Sequence, residues 1–591
     1  MKQHSFRQAN LSVSSTTSTS SIASLASTSS ATSGSPTLNP RRGLVPSPPL
    51  SPSLPSLIHR HGKKQTLSRF QFLRRVLLAT ALFVFLVWFA LRTLFSSLGN
   101  ELRTSGGGEY EMVSGDDLPR QPAAVVVHDE RGRQKWTLHI PQHLPFPLRP
   151  AQYAELCLQA EHVAEELSAG AKPGTFWKGE YYAVDPRYVD VGEAQQRGLL
   201  LSAPETDEEN AEAVCERSLT YVMETKDAGM GNTLLGLWTA YGLARKEGRA
   251  FFVDDTRWPY GNYTAYFAPP PQPPCRPAPP SHRVPCPRSA AHLVISAATF
   301  DQAFGAAFEE EYVDSRRSNV NQQQRHVFSL ARAGYEALFK LSDANGDAVY
   351  VEERAARFVS EVRDHGGLVV GMHVRRGDVR PWEMEYREDY LPLARYMDEA
   401  RQVLIERIKR IAKRTLSPLL SSSRLYPRHG APGFAVSRVL LASDDPDVYA
   451  EPEVSRTIRA QDRIMLASKR VLEASSGGSP KKNKWIDEVH GWEGGFFRDV
   501  FWGLGRDGEG KGWNAQVEKP KAAMRMREMI GRAYLLDLAV LARGDAVVCA
   551  VSAAGCRALM VMMGWERGVE MGEWRNVDHG AAGWMGVVLD K

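Results

Sequence analysis

From about residue 151 the chain alternates helical stretches with short apolar runs, the pattern of an α/β protein. Residues 231–246 (GNTLLGLWTAYGLARK) read as a helix and Arg249–Asp254 (RAFFVD) as the strand that follows. A proline-rich stretch, Pro269–Pro287, reads as loop, and the next long helical region spans about 319–364. A second cluster opens at Gly367–Val374 (GLVVGMHV), a continuous apolar run of the kind a buried parallel strand needs. Helical period returns at Tyr390–Lys413. Arg438–Ser443 reads as strand, Tyr534–Ala542 as helix, Ala546–Ala550 as strand and Ser552–Met563 as helix. Repeated strand–turn–helix units predict a doubly wound parallel sheet, with ligands outside the carboxyl ends of its strands. Residues 97–150 lack sustained periodicity and read as a stem; 415–437 and 473–522, rich in Ser, Gly and Lys, read as surface loops.

The first hundred residues differ in kind. Residues 11–56 are a Ser/Thr/Pro/Ala tract with too few bulky side chains to offset the entropy of ordering, which predicts disorder. A charge-free apolar run, Val76–Leu91, follows Arg74-Arg75 and is closed by Arg92. With Phe72–Leu73 and Leu94–Phe95 it reaches roughly 20 residues, enough for a single membrane span with snorkelling arginines. Residues 1–75 hold ten Lys or Arg and no acid, although the whole chain of 591 residues is nearly balanced at 73 basic against 68 acidic. That bias predicts a cytosolic N-terminus, with the remainder across the membrane. It also argues against a nucleic-acid binder, because the positive charge sits in the tail. All six cysteines, Cys157, Cys215, Cys275, Cys286, Cys549 and Cys556, follow the span, as an oxidising lumen would allow. The short-loop pairs Cys275–Cys286 and Cys549–Cys556 are the favoured bridges. One sequon after the span, Asn262-Tyr-Thr264, is a glycosylation candidate.

The sharpest chemical feature is His373-Val-Arg375-Arg376-Gly-Asp378 at the end of the buried strand. Guanidinium groups present paired planar donors that match phosphate oxygens; a structural ion pair is the alternative use. Asp444-Asp445-Pro446 would cap a helix or contact a sugar or metal, and Asp445-x-Asp447 formally matches a cation-holding D-x-D. Asp254-Asp255 is equally open. Asp343-x-Asn345-Gly346-Asp347 resembles a calcium loop, but its sixth position is Ala348 and its twelfth Arg354, which rejects it.

These residues resemble the α1,6-fucosyltransferases, glycosyltransferase family 23, and more distantly the nodulation and protein O-fucosyltransferases. Besides VVGMHVRRGD, the similar blocks are 229–267 (GMGNTLLGLWTAYGLARKEGRAFFVDDTRWPYGNYTAYF), 440–446 (LLASDDP) and 535–557 (LLDLAVLARGDAVVCAVSAAGCR), in the family's order. The resemblance implies a two-domain GT-B-like α/β fold whose Rossmann-type C-terminal domain binds the donor. Its divisions would be a tail at 1–73, a transmembrane helix at 74–96, a stem at 97–150, an N-terminal α/β domain at 151–360 and the donor domain at 361–591. It implies that Arg375 binds the donor diphosphate and Arg376 supports the acidic residues of the site beside Asp378. It further implies that His373 and Asp537 contact the guanine of GDP-fucose, that Asp444, Asp445 and Ser552 shape the donor pocket, and that Gly229, Gly231 and Asn232 form the glycine turn. Glu383 matches the family's acceptor base, and Cys549–Cys556 matches a family disulfide.

This chain departs from the family in three places. The Lys after the motif's Asp is Val379, with Arg380 adjacent; the Ser-Gln pair after Ser552 is Ala553-Ala554; and only 34 residues follow the last block, where the family has an SH3-like domain. The expected function is a Golgi type II membrane fucosyltransferase, inverting and metal-independent, with GDP-fucose as donor substrate, a glycan or glycoprotein as acceptor and no cofactor. The alternatives are a metal-dependent transferase of another nucleotide sugar and a membrane-anchored glycan- or nucleotide-binding protein without catalysis.

Overall fold

The computed structural model describes residues 118–168, 181–200, 213–224, 229–376, 390–415, 433–465, 521–578 and 583–587. The chain divides into two units, Met1–Gly107 and Gly108–Lys591, and all described residues belong to the second. The expected tail and membrane span lie outside them. No helix among the described residues is long and apolar enough to cross a membrane.

Two parallel sheets organise the unit. The first has β3 (Ser218–Val222) between β4 (Ala250–Asp254) and β5 (His292–Ile295). The second has the order β10 (Trp574–Asn576), β9 (Ala546–Cys549), β6 (Val369–Val374), β7 (Arg438–Ser443), β8 (Ile458–Arg459). Counted within its own lobe, the second sheet runs 3-2-1-4-5, the Rossmann order, and the first runs 2-1-3. Helices of ten residues or more are α1 (Pro150–Ser168), α2 (Met230–Lys246), α3 (Arg325–Leu338), α4 (Asp347–Phe358), α5 (Leu393–Thr415), α6 (Lys521–Leu541) and α7 (Ala554–Met563).

The pleat explains how the second sheet is covered on both sides. Successive side chains of a strand point to opposite faces. Val370, Met372 and Val374 of β6 join Val548 and Leu441 in a core with Tyr396, Ala400 and Val403 of α5. Val369, Leu440, Ala442, Val547 and Cys549 face the other way, into the core that contains α6 and α7. Gly371 lies on that second face, where a Cβ would meet the Leu541 side chain at 3.0 Å.

Several expectations need correction. Residues 118–150, expected as part of the stem, carry an antiparallel hairpin of β1 (Ala123–His128) and β2 (Gln134–His139). Trp136 and Leu138 are buried in the core, and the Trp136 indole donates to Asp185 at 2.7 Å. Each strand is only six residues long and lies among prolines, too short to register as a period. The long helical region at 319–364 is broken between α3 and α4, where Gly346 adopts a left-handed φ of 65°. Beside it, Asp347 of the run that mimics a calcium loop is buried and paired with Arg532 at 2.7 and 2.9 Å. α6 begins at Lys521, earlier than its apolar period shows, because its first turns are rich in Arg, Lys and Glu. The disulfides are Cys157–Cys286, Cys215–Cys275 and Cys549–Cys556. Cys275 and Cys286 therefore do not pair with each other. The intervening segment holds four prolines, whose fixed φ keeps it from folding back, so each end reaches a distant partner.

α2 and α3 cross at backbone contact. A Cβ on Gly334 would overlap the Trp238 carbonyl, and one on Gly242 would overlap that of Leu330. Neither obstacle is a flexible side chain, so the helices would have to separate. Gly334→Ala should therefore cost about 3 kcal/mol of unfolding free energy, read by urea denaturation, and a loss well under 1 kcal/mol would contradict this packing.

Candidate active site

His373, Arg375, Arg376, Asp444, Asp445 and Ser552, all singled out by the sequence, follow or end strands at the carboxyl edge of the second sheet. Its switch point, where open α/β sheets bind their ligands, lies between β6 and β9, where strand order reverses. β6 delivers His373 and then Arg375 and Arg376 to that edge. β7 delivers Ser443, Asp444 and Asp445 beside them, in register with Val374 opposite Ser443. β9 delivers Cys549 and the turn to Ser552, in register with Cys549 opposite His373.

His373 lies on the face toward α6 and α7, and α7 approaches it closely enough that a Cβ on Gly555 would stand 2.7 Å from Nε2. Only glycine fits there. The His373 Nδ1 is buried without a hydrogen-bond partner. Burial, with Arg375 adding, pushes its imidazole down to about 4, so the ring is neutral at ordinary pH. Asp537 of α6 is also buried, and its Oδ1 has no partner. Burial pushes its carboxyl well above the usual carboxylate range, with Gln461 hydrogen bonds and Arg459 opposing. Buried polar atoms left unpaired cost about 1–3 kcal/mol each. Two on one sheet edge are the kind of expense that sites retain for a ligand.

The arginine pair divides its work. Arg376 is built into the edge: its amide donates to Asp444 Oδ1 at 2.5 Å, and its Nη2 donates to the Leu391 carbonyl at 3.3 Å. Its guanidinium lies over the Tyr390 ring at 5.6 Å. Arg375, half-buried, is the next residue along and lies within electrostatic range of His373. Asp445 caps the following turn through Asp447 N at 2.9 Å, and burial raises its carboxyl. The acidic run is thus a turn cap in part, as one of its two readings holds. Among the described residues, no cluster of three or more His, Cys, Asp or Glu is arranged to hold a metal.

The glycine turn reaches this edge from the first lobe. A Cβ on Gly231 would stand 2.5 Å from the Tyr534 hydroxyl oxygen and 2.8 Å from Ala554 Cβ. Asn232 Oδ1 accepts from Arg557 Nη2 at 2.9 Å, and Gly229 caps α2. Ala554, where the resembling family has a bulkier side chain, is therefore in contact with the other lobe. The Ser552 amide donates to Asp578 Oδ2 at 3.2 Å and the Val551 amide to Asn576 Oδ1 at 2.9 Å. The Cys549–Cys556 bridge ties the start of α7 to the end of β9. Asn262 is exposed in the first lobe. Asp378 and Glu383 lie outside the described residues.

Sequence reasoning missed Tyr534, Gln461, Asn576 and Asp578. Tyr534 precedes Asp537 by one turn of α6, so the apolar period hides it as a core residue. Asn576-x-Asp578 ends a three-residue strand too short to be read.

No protein-family model matches the chain, and no curated protein sequence does. Solved structures that share some of its fold include NodZ α-1,6-fucosyltransferase crystallised with GDP, 15% identical over 58% of this chain and 91% of that one, with a TM-score of 0.23. Fucosyltransferase NodZ from Bradyrhizobium is 15% identical over 58% and 92%, TM-score 0.23. A FUT1 variant of Arabidopsis thaliana in complex with GDP is 12% identical over 60% and 70%, TM-score 0.25. Likeness at these TM-scores carries no argument for this chain, whose own residues bear the weight below.

A pH test follows from His373. The unfolded chain takes up this proton near 6.5 and the folded chain only near 4. Its contribution to stability is complete above 6.5 and is lost as pH falls through that window, at up to about 1.4 kcal/mol per pH unit. Urea unfolding of wild type and His373→Asn between pH 4 and 7 should show their stability difference changing with that slope. A difference constant across the window would mean that His373 titrates normally.

Proposed function

We propose that the protein is a glycosyltransferase that moves fucose from GDP-fucose to a glycan hydroxyl with inversion. The observation that carries this reading is that β6 and the α6 helix packed on the same sheet each carry a buried polar atom without a partner, His373 Nδ1 and Asp537 Oδ1, with Arg375 and Arg376 directly after β6. A guanine presents neighbouring N–H donors to a carboxylate such as Asp537, and a neutral imidazole such as His373 can hydrogen-bond a base. Arg375 then faces the diphosphate and stabilises the charge that develops as GDP leaves, a role fixed cations fill without a divalent ion. Glu383 takes the proton from the acceptor hydroxyl as that oxygen attacks the anomeric carbon, and direct displacement inverts a β-linked fucose to an α-linkage. The departures from the resembling family at Val379 and Ala553-Ala554 favour the alternative of binding without catalysis. The alternative with a metal at Asp445/Asp447 finds less support, because Asp445 is engaged as a turn cap.

The proposed setting is the Golgi membrane, with residues 74–96 as a single anchor and the remainder lumenal. Protease added to sealed microsomes should then digest only the tail; cleavage of the 118–587 region without detergent would contradict that topology.

The donor and base roles separate by mutation. Arg375→Ala should weaken GDP binding in calorimetry and nearly abolish transfer. Glu383→Gln should hold GDP affinity within about twofold while transfer falls roughly 100-fold. Wild-type GDP affinity in a folded Arg375→Ala protein would remove the donor site from this edge, and near-normal transfer by Glu383→Gln would remove the base.

A further inference from the structure

The first sheet has a switch point of its own, and an unusual carboxyl sits there. Its order β4-β3-β5 places the reversal between β3 and β5. Glu224 lies two residues past the end of β3, and Ser296 one residue past the end of β5. Glu224 is 7% exposed, and neither carboxyl oxygen makes a hydrogen bond of normal length. The Ser296 hydroxyl and the Ala298 amide approach it without reaching normal hydrogen-bond geometry, and they oppose the rise that burial causes. Arg257 Nη1 stands 3.9 Å away, beyond hydrogen-bond reach, and its two Nη groups each give one of their two N–H donors to the carbonyls of Leu148 and Pro147, leaving the others available. Burial pushes the Glu224 carboxyl up, and Asp254, at the end of β4, adds to the push. A structural ion pair would close that 3.9 Å gap; this carboxyl is held near a cation but left unsatisfied.

The chemistry of the cluster selects its ligand. An anion would meet Glu224 and Asp254, and a cation would meet Arg257. A neutral hydroxyl can donate to the carboxyl while accepting from the guanidinium or from Ser296. We propose that Glu224, Arg257 and Ser296 form a subsite for a hydroxyl of a neutral sugar, on the acceptor side of the transfer proposed above, and the proposal rests on that reading. The subsite lies in the lobe whose glycine turn, five residues after Glu224 at Gly229, leads to the donor edge.

The test uses full-length wild type, Glu224→Gln and Glu224→Met. Each is titrated with GDP, melted, and mixed with GDP-fucose and lactose, cellobiose or chitobiose while GDP release is followed. Both variants should bind GDP within about twofold of wild type and melt at or above its temperature, since an orphaned buried carboxyl has been removed. Sugar-stimulated GDP release should fall about 30-fold through a raised sugar KM, the size expected for losing one buried hydrogen bond to a charged group. Variants that melt lower or fail to fold would mark a structural carboxyl and overturn the subsite, as would variants that keep their sugar stimulation. Wild-type protein that binds GDP but is stimulated by none of the three sugars would overturn the ligand class. Failure of wild type to bind GDP would instead sink the donor reading.

Discussion

The contact between the start of α2 and the start of α7 is the constraint on which the rest of the structure depends. Gly231, Ala554 and Gly555 are small because three things meet there: the first lobe's glycine turn, the Tyr534 hydroxyl and the His373 ring. Any larger side chain would push the lobes apart or drive α7 off the sheet. Arg557 reinforces the junction from α7, giving a hydrogen bond to Asn232 and taking one on its carbonyl from the Trp584 indole at 3.0 Å. Trp584 in turn donates its amide to Asn321 of the first lobe at 2.8 Å. At the far end of α7, Arg332 of α3 donates to the carbonyls of Val561 and Met562, both at 2.7 Å. Such donors satisfy carbonyls that a helix end leaves unpaired. α7 belongs by sequence to the second sheet, yet it is held at both ends by the first lobe.

That arrangement gives the edge its chemistry. Close approach of α6 and α7 removes water from His373 and Asp537, and removal of water keeps the first uncharged and drives the second toward its protonated form. The same burial leaves their free atoms without partners. Arg375, outside the tightest packing, keeps the exposure that a phosphate-binding guanidinium needs. The disulfide between Cys549 and Cys556 holds the turn at Ser552 in place from the covalent side. Each lobe thus holds buried polar atoms without hydrogen-bond partners, Glu224 in the first and His373 and Asp537 in the second.

Much of the second lobe was legible in the sequence because its strands are central and continuous in apolar character. Gly367–Val374 and Arg438–Ser443 announce themselves, and Arg438–Ser443 matches its strand to the residue. The first lobe was harder. Ser218-Leu-Thr-Tyr-Val222 alternates like a half-exposed strand, yet all five residues are buried at the sheet's centre. Thr220 carries a hydroxyl without a partner and Ser218 bonds His292 at 2.9 Å, so polarity at a central position misleads a reading from period alone. Of the site, the motif residues on strand ends were readable because their position follows from the strand. Glu224 was not, since its isolation is a property of what surrounds it in space. Of the two expected disulfides Cys549–Cys556 forms, and Cys275–Cys286 fails for a related reason: nearness in sequence counted for less than the stiffness of the prolines between those two residues.

The central claim is that the β6–β9 edge receives a guanine nucleotide. Hydrogen exchange with and without GDP tests it without any acceptor or turnover. Added GDP should slow exchange at the ends of β6 and β7, at 373–376 and 443–447, and at the start of α7, at 552–556, while the edge at Glu224 and Ser296 is unchanged. Protection confined to the first sheet's edge, or none at saturating GDP, would contradict the account.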